Sequence, residues 1–411
     1  MNILSVNKFY WRKGGSEAVF FGEKELLENN GHTVWPFSMQ SADNLESEFS
    51  RYFVDEVDYE SPSKIDKLKN ASKIIYSFDA RKKMDQFLRD YTPDVAQFHI
   101  FQHQISVSTF GPLRKRGIPI ILTVHDLKPM CGNYKMYADG QVCEACKGGK
   151  HINCVKKRCN DGSLGKSLIN TVEMYFHQAR GYYDWVDQYI TVSKFYRDKM
   201  IEWGFPESQV TYLPNYIDFE KVPSGTGTGK HVLFLGRLSQ EKGVEQILSE
   251  ARQNSDIPHV IAGTGPAEEG LRQEAARLGV NNVEFVGFQT GEALQQLIMD
   301  SRVTLIPSIW YENCPMSVLE SFAYGKPVVG SRIGGIPELI DEGVDGATFA
   351  VGNTNEFAQA VRTFWDDPAF AAEAGQAGKA KVEQRFNKQA HYDALMDIYN
   401  AAIERKQAAA R

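Results

Sequence analysis

The 411-residue chain has no long apolar run and no excess of basic residues. The apolar stretch that begins at Met1 is interrupted by Lys8, Arg12 and Lys13, and no other run approaches the roughly 20 apolar residues that a membrane-spanning helix needs. The sequence therefore predicts neither a signal peptide nor a transmembrane segment. A formal net charge of −6 argues against a dedicated nucleic-acid-binding protein. We expect a cytoplasmic protein, with contact at the inner face of the cytoplasmic membrane as an additional hypothesis.

Cysteine is scarce, with six residues in the chain, and five of them lie between Cys131 and Cys159. In a reducing compartment such clustering favours a metal site over disulfides. Cys143 and Cys146 form a C-x2-C pair, which is a half-site typical of structural zinc. An iron–sulfur cluster and reduced thiols without a metal are the alternatives. The candidates for the other two ligands are Cys131, His151, Cys154 and Cys159.

The length of the chain predicts two domains, because 411 residues exceed one ordinary core. Strand-length apolar runs alternate with helix-like segments in both halves, as in MNILSV followed by GSEAVFFGEKELLENNGH, and HVLFLGRL followed by GVEQILSEA. This alternation predicts parallel sheets covered by helices on both faces. A stretch rich in Pro, Gly, Ser and Thr at residues 214–230 predicts a linker between the halves.

The stretch WYENCPMSVLESFAYGKP, residues 310–327, places Glu312 before a predicted helix and Glu320 inside it. Pro315 is tolerated in the first turn of a helix but not in its interior, so the helix is expected to begin near it and to end before Gly325. Backbone N–H groups at a helix start attract anions, whereas carboxylates suit sugar or ribose hydroxyls. The pattern predicts a site for an anionic, hydroxyl-rich ligand, and a solvated surface helix is the alternative.

Other loops of this half carry cations and small residues. Arg237 and Lys242 follow the strand HVLFLGRL, and two such cations can neutralise a diphosphate. Gly263 and Gly265 in AGTGP would allow a ligand to approach the backbone closely. The carboxyl ends of parallel strands share one sheet edge, where open α/β sheets bind ligands. Ordinary surface cations and a tight turn are the alternative interpretations.

The first half has two similar strand ends. KGGSEAV places Gly14 and Gly15 at a strand-to-helix junction, where a phosphate or sugar could approach the helix start, although no complete G-x-G-x-x-G is present. His125 in LTVHD ends another strand. A packed structural histidine is the alternative interpretation of His125.

Taken in order, these stretches resemble the retaining glycosyltransferases of family 4. The motifs are KGGSEAV, LTVHD, VSKFYRDKM, LPNYID, LGRLSQEKG, AGTGP, PSIWYENCPMSVLESFAYGKPVV and GGIPELI, and they cover nearly the whole chain. LPNYID departs mildly from the family's PNGxD pattern. The resemblance implies the α/β GT-B fold, with two Rossmann-like, doubly wound domains facing a central cleft. The implied acceptor domain is 1–214, with a cysteine-rich insertion at 131–159. The donor domain is 215–387, and the helix at 388–411 is expected to pack back on the first domain.

The resemblance also implies an activity, namely transfer of a sugar, with retention, from a UDP- or GDP-linked donor to a saccharide or lipid-linked acceptor. The implied pathway is biosynthesis of cell-surface polysaccharide such as O-antigen, capsule or exopolysaccharide. No catalytic metal is expected. A catalytically silent nucleotide-sugar-binding or scaffold protein of the same fold, or a GT-B epimerase, is the alternative.

Residue roles follow from the same resemblance. Glu312 is expected to hold the donor sugar and Glu320 the ribose of the nucleotide. Catalytic roles are implied for His125, Arg237, Lys242 and Glu312. Donor-binding roles are implied for Gly14, Gly15, Arg237, Lys242, Gly263, Gly265, Asn313, Cys314, Met316, Ser317, Val318, Leu319 and Glu320. For the possible structural zinc, the pattern points to Cys131, Cys143, Cys146 and Cys159, with Cys154 as a spare.

Basic residues motivate the hypothesis of a peripheral membrane contact. One run, Lys156, Lys157 and Arg158, lies in the cysteine-rich insertion, although such runs are usually solvated faces. A second group of basic residues lies earlier in the chain and could meet an anionic membrane. Acidic residues are interspersed among them, so a solvated face is the favoured interpretation. The basic residues are Lys64, Lys67, Lys69, Arg81, Lys82 and Lys83.

Overall fold

A computed structural model describes residues 1–57, 64–223 and 229–410, with no side chains for 64–69 and 410. The predicted linker therefore falls partly outside the described residues, and so do the side chains of Lys64, Lys67 and Lys69. Two compact units make up the chain. The first comprises Met1–Asp139, Cys143–Leu213 and Tyr392–Arg411, and the second comprises Gly140–Val142 and Pro214–His391.

The first unit is built on a six-stranded parallel sheet with the strand order β2-β1-β3-β4-β7-β8. Its central strands are apolar and buried along their whole length, which is the pattern of strands covered by helices on both faces. The strands of this sheet are β1 (Asn2–Val6), β2 (Thr33–Phe37), β3 (Val95–Phe98), β4 (Ile120–Val124), β7 (Gln188–Thr191) and β8 (Val210–Tyr212). The two-residue strands β5 (Tyr137–Ala138) and β6 (Gln141–Val142) pair in a separate two-stranded sheet.

Seven helices accompany these strands among the described residues. Their ends follow the sequence signals: Asn30 and Gly31 stop α1, and Gly31 has a φ of +80° that glycine adopts without strain. Ser163 caps the start of α6, and Gly181 ends it in the left-handed conformation. The helices are α1 (Gly15–Asn29), α2 (Lys64–Ile75), α3 (Phe78–Asp90), α4 (Phe110–Lys115), α5 (Ile152–Lys156), α6 (Leu164–Arg180) and α7 (Lys194–Glu202).

The second unit has its own six-stranded parallel sheet, ordered β11-β10-β9-β12-β13-β14. The order reverses beside β9, and such a switch point is where open α/β sheets bind ligands. Its strands are β9 (His231–Leu235), β10 (His259–Ala262), β11 (Val283–Gly287), β12 (Ser301–Ile306), β13 (Val328–Ser331) and β14 (Gly346–Phe349). The helices that follow α7 are α8 (Val244–Gln253), α9 (Glu268–Leu278), α10 (Gly291–Asp300), α11 (Met316–Ala323), α12 (Thr354–Asp366), α13 (Pro368–Arg385) and α14 (Lys388–Ala410).

The last helix, α14, contributes to the core of the first unit. Leu395, Tyr399 and Ala402 are fully buried there in one cluster with Ile3 and Leu27. The Tyr399 hydroxyl donates a hydrogen bond to Oε1 of Gln97, the side chain of a residue in β3. The C-terminal segment is therefore an integral part of the first unit's core.

Two doubly wound parallel-sheet units confirm the predicted α/β fold class. Within the residues that the structure describes, no helix is both long and apolar enough to cross a membrane.

Candidate functional site

Glu312 lies in the loop between β12 and α11 and is buried. The Lys242 Nζ atom lies 2.7 Å from Glu312 Oε1, and the Ser308 hydroxyl donates to the same oxygen at 2.5 Å. Burial raises the pKa of the Glu312 carboxyl, but the Lys242 charge and the hydrogen bonds from Lys242 and Ser308 oppose burial and leave that pKa below its ordinary value. The carboxylate is therefore ionised and held in place.

A glycine turn fixes the backbone of Glu312. The Gly335 N–H donates to the Glu312 carbonyl at 2.8 Å. A Cβ atom on Gly334 would lie 2.5 Å from the Glu312 carbonyl oxygen, and Gly334 has a φ of +60°. Only glycine satisfies both the close approach and the left-handed conformation. The turn after β13 is therefore a support for the Glu312 loop.

Helix α11 begins directly after this loop, with Pro315 as its N-cap, and Gly325 follows its end with a φ of +67°. The predicted helix over this stretch is therefore present. The backbone N–H groups of Met316 and Ser317 donate no hydrogen bond within the part of the chain that the structure describes. Unpartnered amides at a helix start form a binding site for an anion.

Glu320 lies one turn into α11 and is half-buried. Burial raises the pKa of its carboxyl group. Over the described ranges no side chain or amide donates a hydrogen bond to this carboxylate, and no cation pairs with it. A partly desolvated acceptor without a donor is a suitable place for ligand hydroxyl groups.

The two predicted cations have different surroundings. Lys242 pairs with Glu312 and its Nζ atom lies 5.5 Å from the centroid of the Trp310 ring. Arg237 is exposed at the carboxyl end of β9 and forms no ion pair among the residues described. Arg237 is therefore available to a ligand, whereas Lys242 is shared between any ligand and Glu312.

The glycines of AGTGP have a structural reason to be glycine. A Cβ on Gly263 would lie 1.8 Å from the Gly236 carbonyl oxygen, and one on Gly265 would lie 2.2 Å from the Leu238 carbonyl oxygen. The two loops at the ends of β9 and β10 thus pack backbone against backbone. Contact of Gly263 and Gly265 with a donor stays a prediction.

His125, at the end of β4 in the first unit, has a partner that the sequence analysis missed. The His99 Nδ1 atom, after the neighbouring strand β3, lies 3.0 Å from His125 Nε2. The Glu23 Oε2 atom lies 3.6 Å from the other ring nitrogen of His99. Burial, helped by His99, lowers the pKa of His125 to about 3, so its imidazole is neutral. The sequence shows a second histidine directly after a predicted strand, His99 in DVAQFHI, and this could have indicated the pair.

Gly14 and Gly15 stand at the start of α1 and are exposed. Glu17 is buried in the first turn of the same helix, and the Ser16 hydroxyl donates to it at 3.1 Å. This carboxylate already places a negative charge at the helix start. Contact of Gly14 and Gly15 with a donor stays a prediction.

The zinc prediction is not supported. All five clustered cysteines line one small cavity of the first unit, but no group of three or more His, Cys, Asp or Glu in the described ranges is arranged to hold a metal ion. The Cys131 thiol contacts Asn133 Oδ1 at 2.9 Å. The Cys159 sulfur lies 2.7 Å from that of Cys154, the residue assigned only as a spare. The predicted set Cys131, Cys143, Cys146 and Cys159 is therefore not brought together as four metal ligands.

Comparisons with known proteins identify the family and the fold. Residues 13–221 match the family model Glycosyltransferase Family 4, and residues 217–381 match the model Glycosyl transferases group 1. An Anabaena protein solved in complex with UDP and glucose has the same fold, with a TM-score of 0.68 at 16% identity over 98% of this chain and all of that one. The GT-B fold is thereby confirmed.

Curated relatives match parts of the chain. An uncharacterized glycosyltransferase of Methanocaldococcus jannaschii is 30% identical over 53% of this chain and 60% of its own length. A D-rhamnosyltransferase of Pseudomonas aeruginosa is 36% identical over 38% and 41%. An amylovoran biosynthesis glycosyltransferase of Erwinia amylovora is 27% identical over 51% and 55%.

These alignments span about 41–60% of the relatives' lengths. The match to the Glycosyltransferase Family 4 model covers half of the present chain. The chain therefore belongs to the glycosyltransferases that the Family 4 model describes.

Proposed function

We propose that the protein is a retaining glycosyltransferase that moves a sugar from a nucleotide-diphosphate sugar to a saccharide or lipid-linked acceptor. The observation that carries the proposal is the pair of contrasting glutamates around the start of α11. Glu312 is buried, ionised and held by Lys242 and Ser308, whereas Glu320 is half-buried and unpartnered. An anion site lies between them at the amides of Met316 and Ser317.

Each group has a role in binding the donor. The amides of α11, together with Arg237 and Lys242, are assigned to the diphosphate, because they supply positive potential at one sheet edge. Glu320 is assigned to the ribose hydroxyls, which would donate to its unpartnered carboxylate. Glu312 is assigned to hydroxyls of the sugar, with Lys242 shared between its carboxylate and the phosphate. Gly263 and Gly265 are assigned to backbone contact with the nucleotide.

The chemistry follows from the charges that develop during transfer. Cleavage of the sugar–phosphate bond leaves positive charge on the ring and negative charge on the departing diphosphate. Arg237, Lys242 and the helix-start amides stabilise that negative charge as it forms. Retention is assigned to attack of the acceptor hydroxyl from the face that the phosphate leaves, with a phosphate oxygen taking the acceptor's proton.

The first unit is assigned to the acceptor. His125 is neutral because of its low pKa, so it can accept or donate one hydrogen bond without adding charge. Its tautomer would be set by His99, which is in turn oriented by Glu23. We assign His125 to a hydroxyl of the transferred sugar near its reacting carbon. Gly14 and Gly15 are assigned to another hydroxyl of the same sugar.

The proposed pathway is the biosynthesis of a cell-surface polysaccharide. Similarity to the amylovoran biosynthesis glycosyltransferase supports it, and a lipid-linked acceptor would place the reaction at the inner face of the cytoplasmic membrane.

Transfer is tested by product release. The purified protein is incubated with UDP- and GDP-sugars, with and without candidate acceptors, and the nucleoside diphosphate is quantified. Acceptor-dependent release, with an anomeric linkage that matches the donor, supports the proposal. Binding of a nucleotide sugar without release under any acceptor would favour the silent binding protein instead, and net inversion would exclude retention.

A further inference from the structure

Helix α6 of the first unit exposes its apolar face and buries its polar face, which is the reverse of an ordinary surface helix. Four apolar residues on one face point to solvent with exposed fractions of 52%, 51%, 45% and 40%, namely Leu164, Leu168, Val172 and Tyr175. Their spacing places them on one stripe of the helix. The buried face is mainly polar and consists of Ser167, Asn170, Thr171, Glu173, Met174 and His177.

Contacts made by the buried polar face hold α6 in this orientation about its axis. Glu173 Oε2 lies 2.6 Å from the ammonium group of the fully buried Lys128. The Thr171 hydroxyl donates to the His151 carbonyl at 3.2 Å, and His177 Nε2 lies 2.8 Å from the Ile75 carbonyl oxygen. Rotation of α6 to bury its leucines would leave Lys128 charged and unpaired in the interior, which is strongly destabilising.

The apolar stripe continues onto α5. Ile152 is 44% exposed, and its backbone N–H group donates to the Tyr175 hydroxyl at 3.2 Å, so the start of α5 lies beside the Tyr175 side chain. We define the α6 apolar face as Ile152, Leu164, Leu168, Val172 and Tyr175. A contiguous apolar face of this kind marks an interaction surface, whereas single exposed apolar residues are ordinary.

The segment that carries this face also has an excess of positive charge. Residues 147–180 contain seven Lys or Arg and two acidic residues, a formal charge of +5 in a chain whose net charge is −6. One of the two acids, Glu173, is buried against Lys128. Four of the cations are exposed and form no ion pair in the described part of the chain, namely Lys150, Lys156, Arg158 and Arg180.

We propose that the α6 apolar face docks on an anionic phospholipid bilayer. An exposed apolar stripe in a segment with unpaired cations fits the boundary between acyl chains and negative headgroups. A second copy of the chain fits less well, because it would bring the unpaired cations of two copies together. The inference deepens the proposed function, on which it rests for the expectation that the acceptor is lipid-linked.

Vesicle binding tests the proposal without any donor or acceptor. The full chain is sedimented with vesicles of phosphatidylglycerol and phosphatidylethanolamine, and separately with phosphatidylcholine vesicles. Binding should require the anionic lipid. The double variant Leu168→Glu/Val172→Glu should partition at least about tenfold less, because it places two charges in the acyl boundary. The matched control is Val344→Glu/Val351→Glu, which changes two exposed valines of the second unit and should bind as the wild type does.

A second variant keeps the test decisive if the glutamates disturb folding. Lys156→Glu/Arg158→Glu leaves α6 unchanged and should also weaken binding about tenfold or more, since each cation near an anionic surface contributes on the order of 1 kcal/mol. Absence of wild-type binding overturns the proposal, and so does binding as strong as that of the wild type by Leu168→Glu/Val172→Glu and Lys156→Glu/Arg158→Glu. A wild-type dimer that Leu168→Glu/Val172→Glu converts to monomers would assign the face to a second copy. Because no nucleotide is present, failure of glycosyl transfer would not affect this result.

Discussion

Glu312 and Glu320 lie eight positions apart and have opposite protonation tendencies. Lys242 and Ser308 outweigh burial at Glu312 and lower the pKa of that carboxyl, whereas burial alone raises the pKa of Glu320. The difference arises from partners and not from sequence context. A fixed charge at Glu312 and an unpartnered acceptor at Glu320 are two different binding functions, and each has its own test.

Replacement of Glu312 should separate turnover from binding. Glu312→Ala removes the carboxylate that is assigned to the donor sugar but leaves Lys242 free to face a phosphate. Turnover should fall about 100-fold, the size of effect seen when one group that stabilises a transition state is lost. Titration calorimetry should show that the nucleoside diphosphate still binds. Loss of diphosphate binding with normal turnover at saturation would contradict the assignment.

Replacement of Glu320 should affect the nucleotide. Glu320→Ala deletes the proposed acceptor for two ribose hydroxyls, so the Kd of the nucleoside diphosphate should rise about tenfold or more. The melting temperature should not fall, because an unpartnered, partly desolvated carboxylate is removed. Glu292→Ala, at an exposed site on α10, serves as the control. An unchanged Kd in Glu320→Ala would argue against a ribose at this position.

At the scale of elements, the turn that contains Gly334 supports the Glu312 loop. Gly334→Ala should lower both melting temperature and turnover, because its Cβ would lie 2.5 Å from the Glu312 carbonyl oxygen. Gly343→Ala is a matched control: Gly343 also has a positive φ of +72°, but nothing lies within 4 Å of its added Cβ. Thermal melts and initial rates compare the two. Equal losses would mean that backbone conformation alone matters, and not the contact with Glu312.

Helix α14 should be needed for folding of the first unit. Leu395→Ala would open a cavity in a fully buried cluster and cost about 2–5 kcal/mol of the free energy of unfolding. Truncation after Lys406, which removes the exposed residues 407–409 together with 410 and 411, should leave the denaturation midpoint unchanged. A chain that ends at His391 and keeps the wild-type midpoint would contradict the role given to α14.

The elements that the sequence predicts well are those with local signals. Asn30 and Gly31 mark the end of α1, and Pro315 and Gly325 bracket α11 within a residue or two. Contacts between distant segments were not predictable: Lys242 and Glu312 are 70 positions apart. The spacing that brings His99 against His125 depends on the pairing of β3 with β4, which no local pattern encodes. The apolar residues of α6 have helical spacing in the sequence. Their exposure, however, depends on Lys128, which lies beneath the helix.

At the scale of the whole molecule, buried histidines predict acid sensitivity. Burial lowers the pKa of six histidines below their ordinary value of 6.5. Below pH 6.5 the unfolded chain therefore binds more protons than the folded one, and stability falls as pH falls. The melting temperature should drop by at least about 5 °C between pH 7.5 and 5.5. An equal or higher melting temperature at pH 5.5 would contradict this. The six are His32, His103, His125, His151, His177 and His231.

The central claim is that the start of α11 binds a nucleoside diphosphate. A thermal-shift screen of nucleosides, nucleoside monophosphates and nucleoside diphosphates, on the wild type and Glu320→Ala, tests it most directly. At a concentration near 100 times Kd, a bound ligand adds about 2.7 kcal/mol, which raises the melting temperature by several degrees. We predict such a rise for one nucleoside diphosphate with the wild type, a smaller rise with Glu320→Ala, and none for the bare nucleoside. No shift with any diphosphate at millimolar concentration, or equal shifts in both proteins, would contradict the account.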